Sequence, residues 1–147
     1  MSKVAAYYHI VFCTKNREMT LPLQHIEDLY RFIWKIISDS KCTLIRIGGI
    51  QNHVHILLDL NPVVSLSKLL QNIKANSSGW LMHDVRFPCF AGWATGYYAS
   101  TISPEQRHTV IEYIRNQREH HLRRPFSEEM DYLYREAGFE PDSRDMV

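Results

Sequence analysis

Two histidines separated by one apolar residue carry the clearest chemical signal in the chain. His53, Val54 and His55 open an apolar run that is typical of a β-strand. Successive side chains of a strand point to opposite faces, so both imidazoles project the same way while Val54 enters the core. Two neutral imidazoles placed in this way can bind one divalent cation. The pattern is also compatible with two partly buried histidines that hydrogen-bond to polar neighbours.

A tyrosine and a glutamine follow one helical turn apart, later in the chain. Tyr113 and Gln117 are four residues apart in a helical pattern, which places them on nearly the same face. Tyr113 lies on the flank of the apolar stripe of that helix, not at its centre. A phenol near a cation can act as a nucleophile. A flanking tyrosine is also typical of an amphipathic packing residue with a solvated hydroxyl.

Basic side chains around these elements are candidates for phosphate contact. Lys and Arg that neutralise phosphates supply most of the sequence-independent affinity for nucleic acids. Nearby aromatic residues such as Trp80, Trp93, Tyr97 and Tyr98 can stack on unpaired bases. The tentative DNA-binding set consists of Lys15, Arg17, Lys68, Lys74, Arg115 and Arg118. Each member, taken singly, is more typical of a solvated surface charge.

Alternating strands and helices must position these side chains. Strands are predicted over residues 6–14, 43–50, 53–60 and 93–102, and helices over residues 22–39, 66–82 and from Ser103 onward. The order β-α-β-β-α-β-α predicts an α+β fold, a ferredoxin-like antiparallel sheet with helices on one face. The other face would be free for a partner chain or a ligand. A short C-terminal helix is predicted over residues 127–137, capped by Ser127 and ended by Gly138.

Length and composition exclude several classes of protein. The chain has 147 residues, of which 45% are hydrophobic and 22% charged, as in one ordinary globular domain. No apolar run approaches the roughly 20 residues of a membrane span, and the start does not have the pattern of a signal peptide. Three widely spaced cysteines fit neither a disulfide framework nor a metal knuckle, and favour a reducing cytoplasm.

The formal charge of +1 is an average over two unlike parts. Residues 1–124 hold 15 basic and 9 acidic side chains, a net charge of +6. Residues 125–147 hold 2 basic and 7 acidic side chains, a net charge of −5. We therefore expect a basic body over residues 1–124, which holds every candidate site residue named above, and an acidic extension over residues 125–147. The extension is expected to carry no catalytic residue, and either to pack on the body or to limit non-specific DNA binding.

Taken together, these features resemble the single-tyrosine transposases of the HUH nuclease superfamily, the small insertion-sequence type. In these proteins two histidines flank one bulky hydrophobic residue, as they do at His53-Val54-His55. The extension after His121 is more similar to those of the REP-associated relatives and of the wider insertion-sequence group than to those of the shortest members. Five segments carry the resemblance in order: YYHIVFCTKNRE, GGIQNHVHILLDL, SLSKLLQNIKANSSGWL, WATGYYASTIS and IEYIRNQREHH.

The resemblance implies a role for each matching residue. His53 and His55 match the metal ligands, Gln117 matches the polar residue that completes the metal site, and Tyr113 matches the nucleophile. The implied enzyme is a DNA strand transferase and endonuclease that uses Mg²⁺ or Mn²⁺. Two imidazoles and an amide favour Mn²⁺ by softness. The expected partners are single-stranded DNA with hairpin ends and a second copy of the chain in a homodimer, with no membrane.

Three functions remain open at this point. The first is a transposase that cuts and rejoins DNA through a 5′-phosphotyrosine. The second is a host-maintained REP-type relative that processes palindromic repeats. The third is a ferredoxin-like nucleic-acid-binding module without catalysis, in which Tyr113 and Gln117 only pack. The side chains of His53, His55 and Gln117 should converge on one point, within one subunit or across a dimer, if either of the first two is right.

Overall fold

The computed structural model describes residues 1–142 and 144–145. Its four strands are β1 (Tyr7–Cys13), β2 (Thr43–Ile50), β3 (His53–Asp59) and β4 (Tyr98–Thr101). Its α-helices are α1 (Ile26–Asp39), α2 (Leu66–Met82), α3 (Arg107–Arg115), α4 (Gln117–Arg123) and α5 (Phe126–Glu136). The strands form one sheet in the order β2-β3-β1-β4, with every neighbouring pair antiparallel. The predicted α+β fold with a ferredoxin-like antiparallel sheet is confirmed.

The first face of the sheet is apolar and is covered by α1 and α2. It presents Ile10 and Phe12 of β1 and Val54, Ile56 and Leu58 of β3, all fully buried. Buried residues recur every three or four positions along α1 (Ile26, Leu29, Tyr30, Ile33 and Ile37). That spacing forms one helix face, so α1 packs on the sheet together with α2 as one core.

The second face of the sheet is covered as well, and the expectation that it is free was wrong. Helix α3 lies against β2, where the backbone of Ile114 approaches Gly48 so closely that a Cβ there would clash at 2.8 Å. Helix α5 packs Phe126, Met130, Leu133 and Tyr134 on a patch that includes Val11, Cys13 and Tyr98. The apolar stripe of the acidic extension explains this, because burying it against the sheet removes large side chains from water.

Several element boundaries differ from the predicted ones for local reasons. Strand β4 covers only Tyr98–Thr101, since Trp93 makes an isolated bridge to Thr14 and Gly96 has a φ of +81° that interrupts the strand. The helix predicted after Ser103 is divided at Asn116, whose φ and ψ are −96° and 20°. Helix α5 begins at Phe126, and Ser127 does not cap it.

The division of the chain at Pro125 into a body and an extension stays a prediction. Of the extension, residues 143, 146 and 147 lie outside the described part of the structure. None of the helices in the described part is long and apolar enough to span a membrane.

Candidate functional site

His53 and His55 lie side by side on the second face of the sheet. Both are 0% exposed, as is Val54, which points to the first face. Their ring centroids are 5.0 Å apart. The alternation of the strand therefore has the consequence predicted from the sequence: it places two imidazoles on one face within the reach of a single ion.

Two neighbouring side chains hold the Nδ1 atoms of these imidazoles. His53 Nδ1 lies 2.7 Å from Oδ1 of Asn52, whose own amide nitrogen donates to the Arg17 carbonyl at 3.2 Å. The Asn52 oxygen therefore accepts, His53 Nδ1 carries the proton, and His53 Nε2 keeps its lone pair. His55 Nδ1 lies 2.9 Å from Nε2 of the buried His9. Partners of this kind orient metal-binding histidines, and the sequence reasoning had assigned no such role to His9 or Asn52.

Gln117 reaches the same point from the start of α4. Its amide nitrogen donates to Glu129 Oε1 at 3.1 Å, and its Oε1 lies 3.0 Å from His53 Nε2. The amide orientation leaves an oxygen facing the lone pair of His53, so two acceptors point at each other. A cation bound to the lone pair of His53 would relieve this repulsion.

Glu129 of α5 lies at the centre of the group, although sequence reasoning had left it out. Its Oε1 is 2.8 Å from His55 Nε2 and accepts the Tyr113 hydroxyl at 2.5 Å. Its Oε2 is 2.5 Å from His121 Nε2 and 3.7 Å from His53 Nε2. The residue is only 3% exposed. Its position was readable as the buried face of α5, since it lies three residues after Phe126 and four before Leu133.

Tyr113 is partly buried and faces the histidines. Its ring lies edge-on to His55 and His9, with centroid distances of 5.6 and 6.1 Å. Burial, and after it the Glu129 carboxylate, raise the pKa of the phenol well above its usual range. A cavity of about 250 Å³ opens beside Tyr113 and His9, between β4, α3 and α5. The nucleophile predicted from the sequence therefore lies between the histidines and an open space.

Burial favours the neutral form of two of the histidines in this group, His53 and His9. Burial, assisted by the nearby His55, lowers the pKa of His53 to about 3 and that of His9 likewise to about 3. Burial alone would raise the pKa of the Glu129 carboxyl, but contacts with His121 and His55 outweigh it and hold that pKa well below its usual range. The site thus combines a buried carboxylate with neutral imidazoles at His53 and His9.

The donor set fits a divalent cation. The ligand atoms of His53, His55 and Glu129 all lie within 4.8 Å of one another, and all three residues are buried. His55 Nε2, His121 Nε2 and Glu129 Oε2 are close together but lack a hydrogen bond of proper geometry. Buried polar atoms normally have such partners. An ion coordinated by these atoms would satisfy them.

Of the basic residues predicted to contact DNA, some are exposed and others already contact groups of the protein. Lys15, Lys68, Arg115 and Arg118 are exposed. Lys74 is half-buried and donates to the carbonyls of Ala94 and Gly96 at 2.7 and 2.8 Å. It therefore holds the loop that contains these two residues in place.

Arg17 is also engaged, and two of the exposed arginines border a cavity. The Arg17 guanidinium lies 5.2 Å from the centroid of the Phe126 ring and donates to the Asp145 carbonyl. Arg115, Arg118 and Arg46 line a cavity of about 290 Å³ that also touches Gln117.

Comparison with known proteins identifies the family to which this chain belongs. Residues 2–117 match the family described as "Transposase IS200 like". The transposase for insertion sequence element IS200 of Salmonella typhimurium is 26% identical over 117 residues, which are 76% of each chain, and the Salmonella typhi protein gives the same values.

Two solved structures share the fold. A putative transposase from Deinococcus radiodurans R1 has a TM-score of 0.60 and 23% identity over 80% of this chain and 95% of its own. A REP-associated tyrosine transposase bound to a REP hairpin has a TM-score of 0.64 and 16% identity over 96% of this chain and 89% of its own. The family match ends at Gln117, before Glu129, whereas the second structure also covers most of the extension. With 116 of its residues matched, the chain belongs to the family of IS200-like transposases, the single-tyrosine branch of the HUH enzymes.

Proposed function

We propose that this transposase cleaves and rejoins single-stranded, hairpin-bearing DNA through a 5′-phosphotyrosine on Tyr113, with a divalent cation, Mg²⁺ or Mn²⁺, at His53 and His55. One observation carries the proposal: Tyr113, Gln117 and the two histidines, which are up to 64 residues apart, meet around one buried carboxylate. A module that only binds DNA has no use for such a group, because burying a carboxylate away from water is costly.

The reaction follows from the position of the Tyr113 hydroxyl. The phenol oxygen forms a bond to a backbone phosphorus, and the bond from that phosphorus to the 3′-oxygen breaks, so the 3′-oxygen leaves and takes up a proton. The phenol proton has Glu129 Oε1 as its nearest acceptor, at 2.5 Å. The covalent link preserves the phosphodiester energy, so a 3′-hydroxyl can reverse the attack and join strands without ATP.

The cation would be held by His53 and His55, with Gln117 as the third group that the family resemblance implies. When bound, it stabilises the negative charge that develops on the phosphate oxygens. The protein's own part is to orient the two imidazoles through Asn52 and His9 and to keep Tyr113 at the edge of the site. The nitrogen donors favour Mn²⁺ over Mg²⁺.

DNA as the substrate is supported by charge and by the related structure. The solved REP-associated transposase is bound to a REP hairpin. Residues 1–124 of this chain carry a net charge of +6. The exposed Lys15, Lys68, Arg115 and Arg118 are the proposed phosphate contacts, while Lys74 and Arg17 contribute by shaping the surface.

We place the enzyme in the cytoplasm, in keeping with its odd number of cysteines, three.

A host-maintained, REP-type role is the second candidate. The REP-associated structure aligns with 96% of this chain, and therefore with most of residues 125–147, which lie beyond the family match. We also propose a homodimer, although each copy already holds Tyr113, His53, His55 and Gln117 together. Light scattering of the purified protein measures the number of chains.

A cleavage assay tests the proposal directly. The protein is incubated with Mn²⁺ and a labelled single-stranded hairpin from its own genomic flank, and the covalent protein–DNA species is measured on a denaturing gel. We expect a band for the wild type, none for Tyr113→Phe, and an unchanged band for the exposed control Tyr132→Phe. Equal bands for wild type and Tyr113→Phe would show that another residue is the nucleophile. No band on any cognate hairpin would favour the binding module.

A further inference from the structure

We propose that Glu129 is the third protein ligand of the cation, so that cation binding fastens the C-terminal helix α5 onto the sheet. This assignment differs from the one implied by the resemblance, in which Gln117 completes the site. It rests on the proposed function only in requiring that a divalent cation binds at His53 and His55. The DNA chemistry does not enter it.

The donor atoms favour Glu129 over Gln117 as the ligand. Two imidazoles and one carboxylate are a set that proteins use for divalent first-row metals, and it leaves coordination positions open. The Glu129 carboxylate contacts Nε2 of His55 at 2.8 Å and lies 3.7 Å from Nε2 of His53. It is an anion, whereas the Gln117 amide is neutral, and a buried dication interacts more strongly with an anion. No second carboxylate joins this group among the described residues.

Gln117 is placed to orient the carboxylate. Its amide nitrogen donates to Glu129 Oε1 at 3.1 Å, while His121 lies 2.5 Å from the other oxygen. From α4, Gln117 therefore holds one carboxylate oxygen through a hydrogen bond, and His121 contacts the other. An amide that donates to a ligating carboxylate is a positioning group.

Docking of α5 determines whether Glu129 is present in the site. Phe126 stacks on the His53 ring with a centroid distance of 4.1 Å and an interplanar angle of 19°. Met130 is 1% exposed and belongs to the apolar cluster with Val11 and Tyr98. If α5 leaves the sheet, Glu129 leaves with it. Any ion that Glu129 binds must therefore stabilise the docked helix, and the docked helix must stabilise the bound ion to the same degree.

Mn²⁺ binding by the purified full-length protein, without DNA, tests this coupling. Free Mn²⁺ is measured by electron paramagnetic resonance during a titration, and the protection of α5 amides by hydrogen exchange with and without Mn²⁺. We expect Glu129→Gln to weaken Mn²⁺ binding at least about tenfold, as even loss of an outer partner does. The matched control Glu128→Gln, an exposed neighbour on α5, should bind like the wild type. Mn²⁺ should slow exchange in α5 of the wild type and not in Glu129→Gln.

Three other results would each overturn the proposal, and each has a different consequence. Equal Mn²⁺ affinity of wild type and Glu129→Gln would restore Gln117 as the third ligand and leave the proposed DNA chemistry intact. Faster exchange of α5 on adding Mn²⁺ would show that the ion displaces Glu129; this wild-type measurement decides even if the variant fails to fold. No Mn²⁺ uptake by the wild type would overturn the assignment too, and the gel assay on Tyr113 would then judge the DNA chemistry separately.

Discussion

The two faces of the sheet differ in chemistry, because only the second combines apolar packing with buried histidines and a carboxylate. On the first face, apolar side chains of β1 and β3 meet the apolar stripes of α1 and α2. On the second face, the same strands present His9, His53 and His55, and α5 meets them with the Glu129 carboxylate. One strand thus contributes Val54 to a core and His55 to a polar cluster.

The difference shows how one small sheet supports both stability and chemistry. Apolar contacts on the first face are non-directional and tolerate exchange of similar side chains. The second face depends on hydrogen-bond partners that fix each ring, such as Asn52 for His53. A polar cluster of this kind is costly whenever one member is missing. We therefore expect changes on the first face to alter stability alone, and changes on the second face to alter stability and cation binding together.

Removing residues 125–147 should have the largest effect. The deletion uncovers the second face and removes four large buried side chains, each worth about 1.5–3 kcal/mol when fully buried (Phe126, Met130, Leu133 and Tyr134). We expect the free energy of unfolding in urea to fall by more than about 4 kcal/mol, with loss of Mn²⁺ binding.

A shorter deletion of residues 141–147, which leaves α5 in place, is the control for this change. Unchanged stability of the longer deletion combined with tighter non-specific DNA binding would mean that the extension is an electrostatic brake and not part of the fold.

More of the fold than of the site could be predicted from the sequence. Strand alternation placed His53 and His55 correctly, and the four-residue spacing brought Tyr113 and Gln117 together even though the helix is divided at Asn116. Glu129 was missed because net charge was summed over the extension as if all of it were solvated. Its partners lie 74 and 76 residues earlier in the chain, and only the docking of α5 brings them together.

Other contacts that the sequence did not reveal have the same physical origin. His9 was not predicted as part of the site, because a single histidine in a strand has no defined partner until the neighbouring strand is placed. In the sheet, His9 lies beside His55 through the pairing of β1 with β3. Lys74 stays a predicted phosphate contact, and its ammonium group also donates to two loop carbonyls that no local pattern reveals.

Truncating one buried apolar side chain to alanine on each face compares the two faces directly. Ile33→Ala on α1 and Met130→Ala on α5 each remove a side chain that is 0% and 1% exposed, respectively, and should each cost about 2–5 kcal/mol of unfolding free energy. Only Met130→Ala should also weaken Mn²⁺ binding, because it loosens the helix that carries Glu129. Leu122→Ala, at an 87% exposed position, is the control and should change neither quantity. Equal loss of Mn²⁺ affinity in both variants would mean that the two faces are not independent.

Cysteine labelling offers the smallest and most local test of the same comparison. Cys13 lies on the second face in the cluster that α5 completes, while Cys89 is exposed. Burial raises the pKa of the Cys13 thiol to about 11, which keeps the reactive thiolate scarce at neutral pH. Iodoacetamide should therefore modify Cys89 first, and Mn²⁺ should slow the labelling of Cys13 a few-fold by fastening α5, without altering that of Cys89. Mass spectrometry of the labelled peptides measures both rates. If the protein binds Mn²⁺ but the labelling rate of Cys13 does not change, the docking of α5 on the second face does not depend on the cation.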